Sequence, residues 1–177
     1  MPKRSAALLL YRLSEENMLE VLLGHMGGPF WARKNARAWS IPKGEYEDGE
    51  DPLNAARREF EEEMGSPPPE GDLLDLGNCK QPSGKIILTY AVRGDFDLSG
   101  FQSNTFVMEW PKGSGQNKEF PEVDRAEWMT LRRASEMLVK GQVPILDSLR
   151  QHLAAGGLKI NDDAAEPSSM QDQGSLF

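Results

Sequence analysis

Residues 44–66 read GEYEDGEDPLNAARREFEEEMGS and hold nine acidic residues against two basic ones, Arg57 and Arg58. The second half of this stretch has little choice but to be a helix. Asp51 stands where an N-cap belongs, and Pro52 takes the first helical position, where its missing N–H costs nothing. Gly65 occupies the place of a glycine that ends a helix, and Pro67-Pro68-Pro69 forbids continuation. At about 100° per residue, Leu53, Ala56, Phe60 and Met64 fall on one stripe of the predicted 51–64 helix. Glu59, Glu62 and Glu63 fall on an adjoining stripe, so three carboxylates point to one side of a helix whose other face is buried. Two such charges ~6 Å apart at an effective dielectric of ~20 repel by roughly 3 kcal/mol. A solvated charged face with i,i+4 partners is the other reading of these acids; it fits poorly, because two arginines cannot pair with so many, whereas a divalent cation can neutralise them. Oxygen donors without His or Cys alongside favour Mg²⁺ or Mn²⁺ over Zn²⁺. Mg²⁺ keeps water and phosphate oxygens among its ligands, which implies a phosphorylated substrate.

The rest of the chain supplies a frame for that helix. Ala6-Ala7-Leu8-Leu9-Leu10-Tyr11 and Leu19-Glu20-Val21-Leu22-Leu23-Gly24-His25 are short apolar runs separated by Ser14-Glu15-Glu16-Asn17, and read as adjacent strands buried on both faces. Trp39-Ser40-Ile41, stopped by Pro42, is another short strand. Residues 73–79, 86–92 and 105–110 read as strands, 112–118 (KGSGQNK) as a flexible loop, and 127–129 as a last strand. Thr130 can cap a helix with Leu131, Ala134 and Leu138 inward, and Pro144 opens another with Ile145, Leu149 and Leu153 inward, ended by Gly156-Gly157. Many strands, one early helix and two late ones predict an α+β fold with helices packed on a mixed sheet. Residues 1–155 form the expected domain. The remainder, 156–177, has Asp162, Asp163, Glu166 and Asp172 and no base after Lys159, and is expected to be an acidic, disordered tail.

The totals narrow the class. A chain of 177 residues is long enough for one domain with a real core. The net charge of −8 argues against a nucleic-acid backbone as the main partner, because phosphate tracking needs a basic patch. One cysteine, Cys79, excludes an internal disulfide, reads as a small packed residue rather than a nucleophile, and fits a reducing cytoplasm. The apolar run after Lys3-Arg4 is too short for a signal peptide and ends at Arg12, and no segment has the length of a membrane span.

Gly44, five residues, Glu50, seven residues, Arg58-Glu59-Phe60, one residue, Glu62-Glu63, one residue and Gly65 together resemble the Nudix box, Gly-x5-Glu-x7-Arg-Glu-U-x-Glu-Glu-x-Gly-U, where U is apolar. Ser66 departs from the pattern at the last position, past the helix, where packing rather than metal ligation is affected. The strand order and a tryptophan before the final helices, Trp128, are also similar to the family, so the resemblance spans about residues 3–153. It implies an α/β/α sandwich and the hydrolysis of a nucleoside diphosphate linked to another group. Glu62 and Glu63 then match the principal metal ligands, and Glu59 binds metal or orients the attacking water. The backbone carbonyl of Lys43 matches a further ligand. Glu50 and Arg58 match a supporting pair, with Arg58 holding carboxylates in place. Glu59, Glu62 and Arg58 form the implied catalytic set. A late-loop glutamate completes the site in many members, and Glu119 and Glu122 are equal candidates.

The ammonium of Lys43 can also reach a phosphate, although a solvated lysine is as good a reading of that position. Lys34 and Arg37, with Arg33, are weaker phosphate candidates. Trp39-Ser40-Ile41-Pro42-Lys43-Gly44 resembles the lead-in of dinucleoside polyphosphate, diphosphoinositol and nucleoside triphosphate hydrolases. The expected function is therefore Mg²⁺-dependent hydrolysis of a pyrophosphate bond in a small-molecule nucleoside polyphosphate, with Mn²⁺ able to substitute. The alternative is a Nudix-fold binding or regulatory module without turnover, against which stands a box intact at every charged position.

Overall fold

The computed structural model describes residues 3–160. Strand β1 (Arg4–Leu13) runs through its centre and alternates between two cores with the period of two that a pleated strand imposes. Ala7, Leu9 and Tyr11 enter one core, and Ala6, Leu8 and Leu10 enter the other. A strand buried on both faces needs a layer on each. Helix α1 (Pro52–Met64) covers one face through Ala55, Ala56, Phe60 and Met64. Helices α2 (Leu131–Met137) and α3 (Val143–Ala155) cover the other through Leu131, Ala134, Ile145, Leu146, Leu149 and Leu153. The result is the expected α+β sandwich of helix, mixed sheet and helix.

β1 pairs in parallel with β6 (Ile86–Arg93), which pairs antiparallel with β5 (Leu73–Lys80) at the sheet's outer side. On its other side β1 is shared. Its first half pairs with β4 (Lys43–Glu45), register Ala6↔Gly44, and its end pairs with β2 (Leu19–Met26), register Tyr11↔Val21. β3 (Trp39–Ser40) and β9 (Val123–Thr130) both pair with β2. β7 (Thr105–Glu109) and β8 (Asn117–Pro121) form a separate two-stranded hairpin.

Several local expectations change. Residues 112–118 are not a loose loop: Asn117 and Lys118 belong to β8, and the Glu109 carboxylate ties down the turn by accepting the N–H groups of Gly113 at 3.0 Å and Gly115 at 2.8 Å. β4 forms where only the lead into the helix was expected, because Lys43, Gly44 and Glu45 find ladder partners on β1. Asp51 occupies the N-cap position with extended backbone but makes no capping hydrogen bond through its side chain. Leu53 is only half-buried, and Ala55 joins the core instead. Thr130 does cap α2, its hydroxyl accepting the Arg133 N–H at 3.3 Å. Of the expected tail, residues 161–177 lie outside the described residues. Among the described residues no helix is long and apolar enough to cross a membrane.

Candidate active site

Helix α1 holds its acids where its amphipathic pattern requires, beside the buried stripe. Arg58 gathers them. Its guanidinium donates to Glu50, reaches Glu59 Oε2 at 3.1 Å and lies 3.8 Å from Glu62 Oε2. The hydrogen bond to Glu59 is the main interaction that pushes the Arg58 pKa still higher. Three box acids therefore share one fixed cation, a geometry a planar five-donor fork can satisfy and a lysine cannot.

Gly44 is required by close approach. A Cβ built there would lie 2.0 Å from the Glu59 carboxyl carbon, so β4 can run beside α1 only with no side chain at this position. The preceding residue, Lys43, contributes twice to Glu63: its backbone N–H bonds the carboxylate and its ammonium adds a favourable charge. These do not compensate for what opposes ionisation. Burial, then Glu59, then Glu122 push the Glu63 pKa up to about 8.

Glu122 comes from a distant part of the chain, between β8 and β9. Burial, with Glu59 and Glu62 nearby, raises its pKa too. Its place is set by three backbone bonds. The Glu122 N–H donates to the Asn104 carbonyl at 2.8 Å, and the Asn104 N–H donates to the Glu62 carbonyl at 2.8 Å, near the end of α1. On the other side the Gly27 N–H donates to the Glu122 carbonyl at 2.9 Å. A Cβ on Gly27 would meet the Pro121 oxygen at 1.9 Å, so this approach also requires glycine. The Ser103 hydroxyl accepts the Val123 N–H at 3.0 Å and secures the same junction. A cleft of about 440 Å³ opens beside the acids, lined by Arg58, Glu62, Gln102, Ser103 and Asn104 among others.

The structure thus brings together Glu59, Glu62, Glu63, Arg58, Lys43 and Glu122. It separates the two late glutamates. Glu119, on exposed β8, accepts a hydrogen bond from the Thr105 hydroxyl at 2.6 Å across the hairpin and is not among the groups acting on Glu63. Arg37 turns away: its guanidinium donates to the carbonyls of Ser135 at 2.6 Å and Leu138 at 3.3 Å, at the end of α2. Lys34 is stacked on Phe30, with its Nζ 3.9 Å from the ring centroid. His25 is fully buried and bridges the Lys34 carbonyl and the Asp124 carboxylate, a structural role. Gly27, Ser103 and Asn104 were missed. The Gly27-Gly28 pair after an apolar strand was a signal of close approach; the other two had none.

Among the described residues no three acidic, His or Cys side chains are close enough together to hold an ion as they stand. The arrangement explains why: Arg58 engages Glu59 and Glu62, while Glu63 turns to the Lys43 N–H. In chemical kind the donors fit a hard divalent ion. They are carboxylate oxygens, and the Glu63 carboxyl is held against like charge in a desolvated place, an arrangement that a divalent cation relieves.

Comparison with known proteins defines the class. The model of the NUDIX domain matches residues 1–149. An RNA pyrophosphohydrolase of Rhodospirillum rubrum is 42% identical over 161 residues, covering 86% of this chain and 93% of the relative. Among solved structures, the NUDIX domain of Shewanella oneidensis NrtR complexed with ADP ribose aligns with a TM-score of 0.59 at 16% identity, covering 86% of this chain and 89% of that one. A Caenorhabditis elegans Ap4A hydrolase in a binary complex aligns with a TM-score of 0.59 at 20% identity, covering 86% and 98%. These two likenesses show the fold alone. The chain belongs to the NUDIX family. As an enzyme it is a Nudix pyrophosphohydrolase, of a family whose hydrolases generally use divalent metal ions.

Proposed function

We propose that this enzyme hydrolyses a pyrophosphate bond in a dinucleoside polyphosphate or nucleoside triphosphate, with Mg²⁺ held by Glu59, Glu62, Glu63, the Lys43 carbonyl and Glu122, and with Mn²⁺ able to replace it. The observation behind this reading is the meeting of Glu63, Glu59 and Glu122, acids from two remote segments, with Lys43 as the favourable charge beside them. When bound, the metal supplies charge neutralisation at the phosphates and a water of lowered pKa. The chain's own groups do the rest. Glu122, brought beside Glu59 and Glu62 from the β8–β9 junction, either completes the oxygen shell of the metal or takes the proton of the attacking water. Glu59 orients that water from the helix. Arg58 acts on Glu59 and Glu62, restricting their rotamers. The Lys43 ammonium, beside Glu63, is the cation available to bind a phosphate. The single cysteine, Cys79, supports work in a reducing cytoplasm.

A second reading has one specific support, the RNA pyrophosphohydrolase relative: the bond attacked belongs to an RNA bearing a 5′-polyphosphate. One experiment addresses both. The protein is incubated with Mg²⁺ and diadenosine tetraphosphate, ATP or 5′-triphosphorylated RNA, and the products are identified by mass. Faster turnover of the small nucleotides supports the first reading, and faster turnover of RNA supports the second. No turnover on any of them, with Mn²⁺ binding unchanged in the Glu62→Gln, Glu63→Gln double variant, overturns the hydrolase reading in favour of a binding module.

A further inference from the structure

We propose that the β2–β3 loop, residues 27–38, seats the nucleobase of the substrate, with Phe30 as the surface on which the base stacks; the inference rests on the nucleotide reading above. Phe30 is 61% exposed, an unusual condition for a large aromatic side chain that is held in place. It is held by two neighbours. Trp31 meets it edge-on with centroids 5.0 Å apart, and the Lys34 ammonium lies 3.9 Å from its centroid and 5.3 Å from that of Trp31. The Lys34 ammonium thus lies over the ring and Trp31 meets it edge-on, while most of its surface remains open to solvent.

The surroundings match one kind of ligand. Within a chain of net charge −8, residues 27–38 contain Arg33, Lys34 and Arg37 and no acid. Arg37 is committed to α2, and Arg33 and Lys34 remain exposed. An aromatic face bordered by cations is how proteins hold a base and its phosphates without a deep pocket. The loop is also anchored at Glu122 and, two residues further on, at Asp124. Its start bonds the Glu122 carbonyl through Gly27 at 2.9 Å, and its middle is joined through His25 to Asp124, at 2.5 Å from the Lys34 carbonyl and 2.8 Å from the carboxylate. Gly28 lets the β7 side chain Phe106 pack against the loop, since a Cβ there would lie 2.8 Å from that ring. A base on Phe30 would thus be presented by a loop whose attachment points are those of the site's late glutamate. Isolated exposed aromatics are ordinary on protein surfaces. What distinguishes Phe30 is its edge contact with Trp31, the cations beside it and the bonds that tie its loop to Glu122 and Asp124.

The test is equilibrium binding by titration calorimetry, with Mg²⁺, of an adenosine triphosphate analogue with both bridging oxygens replaced by methylene groups, so that neither bridge can be hydrolysed, and of inorganic tripolyphosphate, which has the charge but no base. Phe30→Ala should weaken nucleotide binding about tenfold, the scale of a lost stacking contact. Tripolyphosphate binding should not change, and Phe30→Trp should restore the nucleotide. Unchanged nucleotide affinity in Phe30→Ala overturns the proposal. So does an equal loss for tripolyphosphate, which would mean that the loop has lost its shape, or a wild type that prefers the nucleotide no more than tripolyphosphate. Wild-type protein that binds nucleotide through Phe30 yet hydrolyses none overturns the hydrolase reading instead and leaves the stacking result standing.

Discussion

Two side chains in the acid cluster have opposite energetic characters. Glu63 is a cost to the metal-free fold. Its pKa of about 8 lies above the ~4.3 of an unfolded chain, so the folded protein binds that proton more tightly. The associated stability is fully present below about pH 4 and is lost as pH rises through about 8. In EDTA the melting temperature of the wild type should therefore fall between about pH 5 and 8.5 more steeply than that of Glu63→Gln, and added Mg²⁺ should raise the wild type most at the alkaline end. Parallel pH profiles for the two proteins would contradict the assignment. Arg58 is different: its side chain is 41% exposed, and exposed ion pairs contribute only ~0–1 kcal/mol. Arg58→Ala should leave the melt within a few degrees of wild type while lowering kcat by about a hundredfold, because Glu59 and Glu62 lose their common anchor. Arg58→Lys should recover little, lacking the fork that reaches three acids. A large drop in melting temperature would show that Arg58 serves the fold instead.

At the scale of elements, the sequence was most informative where contacts are local. The box spacing, the helix over 52–64 and the Arg58–Glu50 pair depend on residues within one turn or one loop of each other, and their geometry is that of any α-helix. What lay beyond reach were contacts fixed by register. Glu119 and Glu122 are indistinguishable in sequence; only the β7–β8 pairing shows that the first lies opposite Val107, within diagonal reach of the Thr105 hydroxyl, and that the second follows the hairpin's end. β8 itself was hidden because Asn117, Lys118 and Pro121 are poor strand formers, and the hairpin is held by its partner and by Glu109. Arg37 looked like a phosphate ligand because nothing local reveals that α2 ends beside it. Gly27 provides the element-scale test. Gly27→Ala should push β2's end away from Pro121 and displace Glu122, lowering kcat at least tenfold with Mn²⁺ affinity reduced, while far-ultraviolet circular dichroism stays that of the wild type. Full activity would mean that Glu122 does not depend on this contact.

Across the whole molecule, β1 is the organising strand, and its strict alternation of Ala and Leu between two cores was visible as an unbroken apolar run. Such a run announces a central strand but says nothing of which strands flank it, since sheet order is set by long-range pairing. The link between helix and late strand has a consequence for how the molecule fails. The Asn104 N–H holds the Glu62 carbonyl, and the Asn104 carbonyl holds the Glu122 N–H. One residue is thus a hinge pin passing through both halves of the acid cluster. Whatever loosens it, whether heat or a change in residues 102–104, weakens the tie between the end of α1 and the start of β9. A change there uncouples the two halves of the acid set, leaving Glu122 to its Gly27 bond and the helix carboxylates to Arg58.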